Sequence, residues 1–335
     1  MFFVLSGYLI SANLLREKSE ISNIGAYLKN FYWKRLLRLF PAYYLYVFVF
    51  VLIGFFIGRE EISKLILPLI TYTINIYALT SSHIDIAGVG HFWSLGVEEQ
   101  FYLLWPFLVF FIPFRIFKWV LVVLVFIGPL IRELLFVWAF NINSSKEYIG
   151  DFINMLPFGQ IDAFAIGAVL AFFPLKEIKK PKLLFFCVSG LVLILGLLNV
   201  YLLFVNNSIN KTNYFNIFSS FGFPHLMLAN YQYIWGYSAL NLVFALLILC
   251  ILKGKNPILF LNNPILVYIG KISYGIYIFH VPVLILIRKF FKGHILSVQG
   301  ILFLLIYFLL TFLIAHISYK HFEKRFLVLK HKKIT

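Results

Sequence analysis

Apolar residues run on in this chain, stretch after stretch, for longer than a soluble domain could cover them. That feature limits its fold more than any other. A helix needs about 20 such residues to cross a hydrocarbon core of about 30 Å. Runs of that length lie near 40–58, 93–112, 118–140, 156–173, 183–205, 232–252, 265–287 and 298–320. The pattern predicts an all-α fold, a polytopic transmembrane helix bundle. The opening run, residues 1–15, reaches only about 22 Å at 1.5 Å per residue. Residues 65–79 are short and carry Pro68, Thr71, Thr73 and Asn75, so they read as an interfacial or re-entrant element.

Composition points the same way. The chain is 62% hydrophobic and 13% charged, where soluble domains carry about 25% charged residues, so the ordinary soluble class is excluded. The net charge of +16 does not indicate a nucleic-acid partner. Nucleic-acid binders present polar basic faces, whereas these bases sit between apolar runs. With 16–39 placed in the cytoplasm, 20 of the 29 Lys and Arg fall on one side of the bilayer and 7 on the other; Arg132 and Lys271 remain inside the runs. Cytoplasmic loops attract this excess of positive charge. The count favours nine spans with a cytoplasmic C-terminus, and treating 65–79 as a span would spoil it.

Cys187 and Cys250 lie in apolar runs and read as core residues. No repeat or linker divides the chain, which reads as one domain over 1–335. No metal cluster has workable ligand spacing, and no phosphate loop, nucleophile elbow or dinucleotide fingerprint occurs. The topology leaves the N-terminus outside, beginning mid-hydrophobe without the basic region of a signal peptide. The expectation is therefore an N-terminally truncated domain, with an upstream helix that would make ten spans.

Ionisable groups within a bilayer are costly and mark function by default. Arg35 and Arg38, three apart beside Lys34, share a helical face. Two guanidinium groups there can clamp phosphate, and the same pair also reads as a snorkelling anchor. In Gly90-His-Phe-Trp-Ser-Leu-Gly-Val-Glu-Glu-Gln-Phe-Tyr102, the residues Ser94, Glu98 and Tyr102 recur every four positions and line one face. That stripe can position a hydroxyl or orient a histidine; it equally reads as a polar network between helices. Asp162 has no cation within a turn of its own helix and reads as a cap or a cross-helix partner. Ser273, Tyr277 and His280 form another stripe, in which a lone histidine suits a helix–helix hydrogen bond as well as a base. Arg132 and Glu133 face different ways, each toward a separate partner. His316, His321 and Glu323 read as interfacial anchors.

These segments, in this order, resemble the acyltransferase 3 family of membrane acyltransferases. The resemblance rests on Phe2-Phe-Val-Leu-Ser-Gly-Tyr-Leu-Ile10, Lys34-Arg-Leu-Leu-Arg-Leu-Phe-Pro-Ala-Tyr43 and Trp93-Ser-Leu-Gly-Val-Glu-Glu-Gln-Phe-Tyr102. Further matches are Ile161-Asp-Ala with Gly167, Ile272-Ser-Tyr-Gly-Ile-Tyr-Ile-Phe-His-Val-Pro282 and Phe322-Glu-Lys324. It implies a ten-helix domain in a bacterial cell membrane that moves an acyl group, commonly acetyl, from a cytoplasmic thioester donor to a hydroxyl. No cofactor is resident; acyl-CoA, as acetyl-CoA, is the co-substrate, and the acceptor is a cell-surface carbohydrate, a glycolipid or a glycosylated molecule. Arg35 and Arg38 would contact the donor. Glu98, Ser94 and Tyr102 would carry the chemistry, with Ser6, Trp93, Asp162, Ser273, Tyr277 and His280 as further polar candidates.

Departures from the family pattern are equally specific. The family's first helix carries an arginine and the histidine regarded as general base, ahead of the point where this sequence starts. Gln160, Phe279 and Arg325 stand where Arg, Trp and Pro are common. Three readings stay open. The first is an O-acyltransferase whose base-bearing helix lies upstream, which predicts that this polypeptide alone is inactive. The second is a non-catalytic membrane binding or transport component on the same scaffold. The third is an acyltransferase that uses His280 as its base. Acceptor identity, chain length of the acyl group and oligomeric state are not encoded in these motifs.

Overall fold

A computed structural model describes residues 1–80, 88–142, 145–173, 177–206, 214–225, 227–254, 259–291 and 297–329. Every regular element among them is helical, in agreement with the all-α expectation. Parts of the loops whose charges set the topology lie outside the described residues. The chain divides into two compact units, Met1–Ser22 with Val97–Ile258 and Asn23–Gly96 with Leu259–Thr335.

The first unit is built on α1 (Phe2–Glu20), the larger part of α5 (Trp93–Phe111), α6 (Phe114–Asn141), α7 (Lys146–Met155), α8 (Ile161–Phe172), α9 (Pro181–Val205), α10 (Tyr214–Ser219) and α11 (Gln232–Lys253). Its central crossing, α1 on α8, is made by glycine. A Cβ on Gly7 would stand 2.2 Å from the Phe164 carbonyl oxygen, and one on Gly167 would stand 2.0 Å from that of Val4. Without hydrophobic drive between helices in lipid, close backbone approach of this kind supplies the packing energy. Gly128 does the same on α6, where a Cβ would lie 2.6 Å from Asp162 Cβ. At the end of α5, Lys18 Nζ donates to the carbonyls of Val109 (2.8 Å) and Ile112 (3.3 Å). These oxygens would otherwise lack partners, and a cation suits the negative end of the helix dipole.

The second unit holds α2 (Ile24–Phe56), α3 (Ile62–Ile70), α4 (Ile74–Thr80), a 3-10 turn at Gly90–Phe92, the first residues of α5, α12 (Pro264–Arg288), α13 (Val298–Ser318), a π-turn at Tyr319–Glu323 and α14 (Lys324–Leu329). Asn23, Asn263 and Ser297 cap α2, α12 and α13 by accepting from Ala26, Ile265 and Gly300 amides. The core is tyrosine-rich. Tyr43 stacks on Tyr72 at 4.2 Å and donates to the Leu69 carbonyl at 2.8 Å. Tyr46 packs edge-on against Phe92 at 5.3 Å and donates to the Gly88 carbonyl at 2.7 Å. The first bond ties α2 to the end of α3, and the second ties it to the turn that enters α5.

Among the described residues, six helical stretches are long and apolar enough to span a membrane: Ile24–Phe56, Phe114–Asn141, Pro181–Val205, Ala229–Lys253, Pro264–Arg288 and Val298–Leu329. The bent pair Tyr148–Met155 and Pro157–Phe172, 69° apart, makes a seventh if counted as one span. The chain is thus a multi-pass membrane protein. The expected nine also included α1 and α5. Each has 19 residues, but α1 ends in Arg16, Glu17, Lys18 and Glu20, and α5 carries Glu98, Glu99 and Gln100.

Three boundaries differ from the sequence reading. The opening helix continues through its charged end to Glu20 instead of stopping near Leu15, because Arg, Glu and Lys are good helix formers. The basic segment and the span after it form one 33-residue helix, α2, with Pro41 inside it. The run 156–173 is not continuous. Pro157 opens a 3-10 turn to Gln160 before α8 begins, and Gly159 fits there because a Cβ would meet the Ile153 carbonyl oxygen at 2.0 Å. Residues 65–79 do form a broken pair of short helices, interrupted at Tyr72 with φ 55°.

Candidate functional site

The polar stripe on α5 makes its bonds within two different units. In the first, Glu98 is buried at 4% exposure, and its Oε1 accepts from the Ser6 hydroxyl. Ser6 Oγ in turn accepts from the Tyr102 phenol at 3.2 Å. Tyr, Ser and carboxylate thus form a directed relay from α5 through α1 and back. The close approach allowed by Gly7 is what sets Ser6, its neighbour, at this depth. A carboxylate at the end of such a relay can hold or accept a proton.

Asp162 belongs to another network of the same unit. Both it and Arg132 are 0% exposed, and Arg132 makes two bonds to the carboxylate, Nη1 to Oδ1 at 2.8 Å and Nη2 to Oδ2 at 3.1 Å. The guanidinium also donates to Gly159 O (2.9 Å), Ile234 O (2.7 Å) and Ser238 Oγ (2.7 Å). Glu133, one residue on, instead accepts from the Tyr233 phenol at 2.8 Å. This arrangement satisfies charge inside the unit and ties α6, α8 and α11 together.

In the second unit, Ser94 and Tyr277 meet at 2.6 Å. The Tyr277 phenol donates to the main-chain oxygen of His91, so its single proton is committed and the Ser94 hydroxyl is the donor to it. His91 and His280 lie edge-to-face with ring centroids 5.0 Å apart. Their tautomers follow from carbonyl partners, which can only accept. His280 Nδ1 lies 2.6 Å from the Tyr277 carbonyl and so carries the hydrogen. His91 Nε2 lies 3.3 Å from the Ile278 carbonyl and carries its own. That second carbonyl is available because Pro282, four residues on in α12, has no N–H to offer it. Burial first, then the nearby His280, push the His91 imidazole down to about 3, against the Ile278 bond. It stands in the turn before α5, outside the spanning segments, and is neutral at physiological pH.

The cationic candidates part company. Arg35 lies over the Phe31 ring at 5.8 Å. Arg38 is exposed and lines a cavity of ≈ 330 Å³ with Lys271, Tyr274, Tyr319 and Glu323. Tyr274 braces one wall by donating to the Leu39 carbonyl at 2.9 Å. Ser273 bonds back to Gly270 of its own helix and is exposed. Trp93 is half-buried at the first turn of α5.

Sequence reasoning passed over His91, although Pro282 marks a carbonyl in search of a donor. It left Lys271 without a role and read Glu323 as an interfacial anchor. Glu323 is in fact buried at 4% exposure and accepts from Ser318 at 2.8 Å, because the π-turn turns it inward. His316 likewise bonds the Tyr268 phenol at 2.7 Å. Among the described residues no group of three or more metal-ligating side chains occurs.

The chain is similar in sequence to known proteins. The acyltransferase 3 family model, described as an acyltransferase domain, matches residues 1–320. O-acetyltransferase OatA of Staphylococcus aureus strain NCTC 8325 / PS 47 is 28% identical over 344 residues, covering 96% of this chain and 51% of that protein. A provisionally named O-acetyltransferase of S. aureus strain COL is 26% identical over 344 residues, covering 97% of this chain and 51% of that protein. The chain spans about half the length of the curated relatives it matches. No solved structure matches it. With one family model matching residues 1–320, and so reaching into both units, the chain belongs to the acyltransferase 3 family.

Proposed function

We propose that this chain is a membrane O-acyltransferase that moves an acetyl group from an acyl-CoA-type thioester to a hydroxyl of a cell-surface carbohydrate or glycosylated molecule. The observation that carries the reading is the family match over 1–320, joined to relatives named for O-acetyl transfer. The transfer asks for three things: a cationic seat for carrier phosphates, an acceptor for the hydroxyl proton, and donors for the oxyanion that forms at the thioester carbon. Arg38 and Lys271, on the wall of one cavity, suit the first. Arg35, one turn back on α2, extends the same basic helix. Glu98 with Ser6 and Tyr102 suits proton handling within the first unit. In this reading the protein lies in a bacterial cell membrane with Arg38 and the C-terminus on the cytoplasmic side, where acyl-CoA is found.

Membranes carrying the full chain, incubated with radiolabelled acetyl-CoA, should yield acid-insoluble material whose label is released by mild alkali, as an O-acetyl ester is. Arg38→Ala should reduce that label at low donor concentration and Glu98→Gln at all concentrations. Label that resists alkali would refute the proposal, as would no label above background from both this chain and a version extended upstream by one helix.

A further inference from the structure

Three elements of the second unit bring charge to one small space. Arg38 of α2, Lys271 of α12 and Glu323 of the π-turn line the same cavity of ≈ 330 Å³, at the small end of the range for ligand pockets. Both cations are exposed, whereas the carboxylate is buried at 4% exposure. Its Oε1 accepts from Ser318 at 2.8 Å, and lies so near α12 that a Cβ built on Gly275 would stand 3.3 Å from it. Its Oε2 has no hydrogen bond or ion pair among the described residues.

Buried carboxylates are ordinarily paired. Arg132 and Asp162 show the closed form, two direct bonds between guanidinium and carboxylate. Here, among the described residues, no ion pair joins Glu323 to Arg38 or Lys271, although all three line one cavity. A partner for Oε2 therefore has to come from what the cavity holds. The donor seat described above puts phosphate against Arg38 and Lys271, and phosphate is no partner for a carboxylate, because like charges repel. The group that completes Oε2 is a neutral hydrogen-bond donor carried close to that phosphate. In a CoA-type carrier the nearest one is the ribose 2′-hydroxyl, on the carbon next to the one that bears the 3′-phosphate. The pantoyl hydroxyl stands further off, beyond a quaternary carbon, and the amides further still. Carboxylates take ribose hydroxyls in this way at dinucleotide sites.

We infer that this cavity seats the nucleotide end of the carrier, with the 3′-phosphate on Arg38 and Lys271 and the 2′-hydroxyl donating to Glu323. The inference rests on the acyl-CoA reading above and names the part of the donor that the cavity takes. Glu323 selects as well as binds. It repels a phosphate that arrives alone and accepts one that brings its own hydroxyl. An acyl group on the phosphopantetheine of a carrier protein has neither the 3′-phosphate nor the ribose, so the donor class is the free nucleotide thioester.

The test needs no turnover. The purified full chain in detergent is titrated with adenosine 3′,5′-bisphosphate and with its 2′-deoxy counterpart, and saturation-transfer NMR reads binding. Wild type should bind the ribose compound about tenfold or more tighter, the weight of a hydrogen bond to a charged group. Glu323→Ala should bring that preference to within about twofold and bind the deoxy compound at least as well as wild type does, which also shows that it has folded. Glu323→Gln keeps the Ser318 bond and an uncharged acceptor, so a preference of about threefold should remain; it decides the matter where the alanine variant does not fold. Lys271→Ala should weaken both compounds alike. Equal binding of the two compounds by wild type, or an undiminished preference in either folded Glu323 variant, overturns the inference. A wild-type chain that binds neither compound overturns it together with the donor seat. One that discriminates between them yet forms no O-acetyl ester in the assay above upholds the nucleotide site and sinks the transfer reading alone.

Discussion

Removing the Asp162 carboxylate should be among the most damaging single changes in the chain. In Asp162→Ala the Arg132 guanidinium stays where it is, 0% exposed and held by Gly159, Ile234 and Ser238. Those three partners supply dipoles but no countercharge. Breaking a buried pair from one side costs about 3–5 kcal/mol, mostly the penalty of the stranded charge, against a total stability of about 5–15 kcal/mol. The melting midpoint in detergent should therefore fall by on the order of 10 °C. Asp162→Asn keeps one acceptor oxygen and should fall less. The double variant Arg132→Met with Asp162→Leu removes both charges and should recover most of the loss, since apolar replacements of buried pairs are often neutral or stabilising. Thermal unfolding of the three purified variants, followed by tryptophan fluorescence, reads all of this. A shift below about 2 °C for Asp162→Ala, or a double variant no better than the single, would show that the pair does not hold α6 to α8.

Three further outcomes follow from the geometry. Gly167→Ala would drive a Cβ toward the Val4 carbonyl oxygen, 2.0 Å away, and should lower the melting midpoint sharply, whereas Gly190→Ala on α9 meets nothing within 4 Å and should raise stability by about 0.5–1 kcal/mol; equal shifts would contradict the close approach. Lys271→Ala should raise the KM for acetyl-CoA about tenfold, the weight of a charge-assisted contact, and leave that for acetyl-pantetheine, which has no phosphates, nearly unchanged; a parallel rise in both would show that Lys271 does not meet phosphate. The unfolded state binds a proton at His91 near the ordinary 6.5 and the folded state only near 3, so stability from this group is complete above the upper value and lost as pH falls toward the lower. Between pH 7 and 5 that amounts to about 2 kcal/mol, and His91→Gln, which cannot titrate, should unfold with correspondingly weaker acid sensitivity in a pH series of melts.

What could be read from the sequence was whatever rests on one helix at a time. Apolar length placed the long helices, and the four-residue spacing of Ser94, Glu98 and Tyr102 placed them on one stripe. Partners were another matter. Arg132 and Asp162 are 30 residues apart, and nothing local in either says they meet; the pairing waits on Gly128 letting α6 close on α8. The break at 156–160 escaped notice because mean apolarity is blind to Pro157 and Gly159, which turn the chain without making it polar. Glu323 was misjudged for a related reason. An acidic residue past the end of an apolar run looks solvated unless the helix changes its winding, and that change has no signature in composition.

The π-turn at Tyr319–Glu323 has a consequence for how this C-terminal end tolerates changes of length. A π-turn is in effect an α-helix holding one surplus residue. Deleting a single residue from it should let the helix relax to regular winding and rotate all that follows by about 100°, the turn of one residue in a helix of 3.6 per turn. Phe322 and Phe326, which line a groove with Trp33, Leu37, Pro41 and Tyr44 of α2, would swing away from it, and Glu323 would leave the Arg38 cavity. One codon removed here would thus disturb the Arg38 cavity and the aromatic groove on α2 together, where the same deletion in a loop would pass unnoticed.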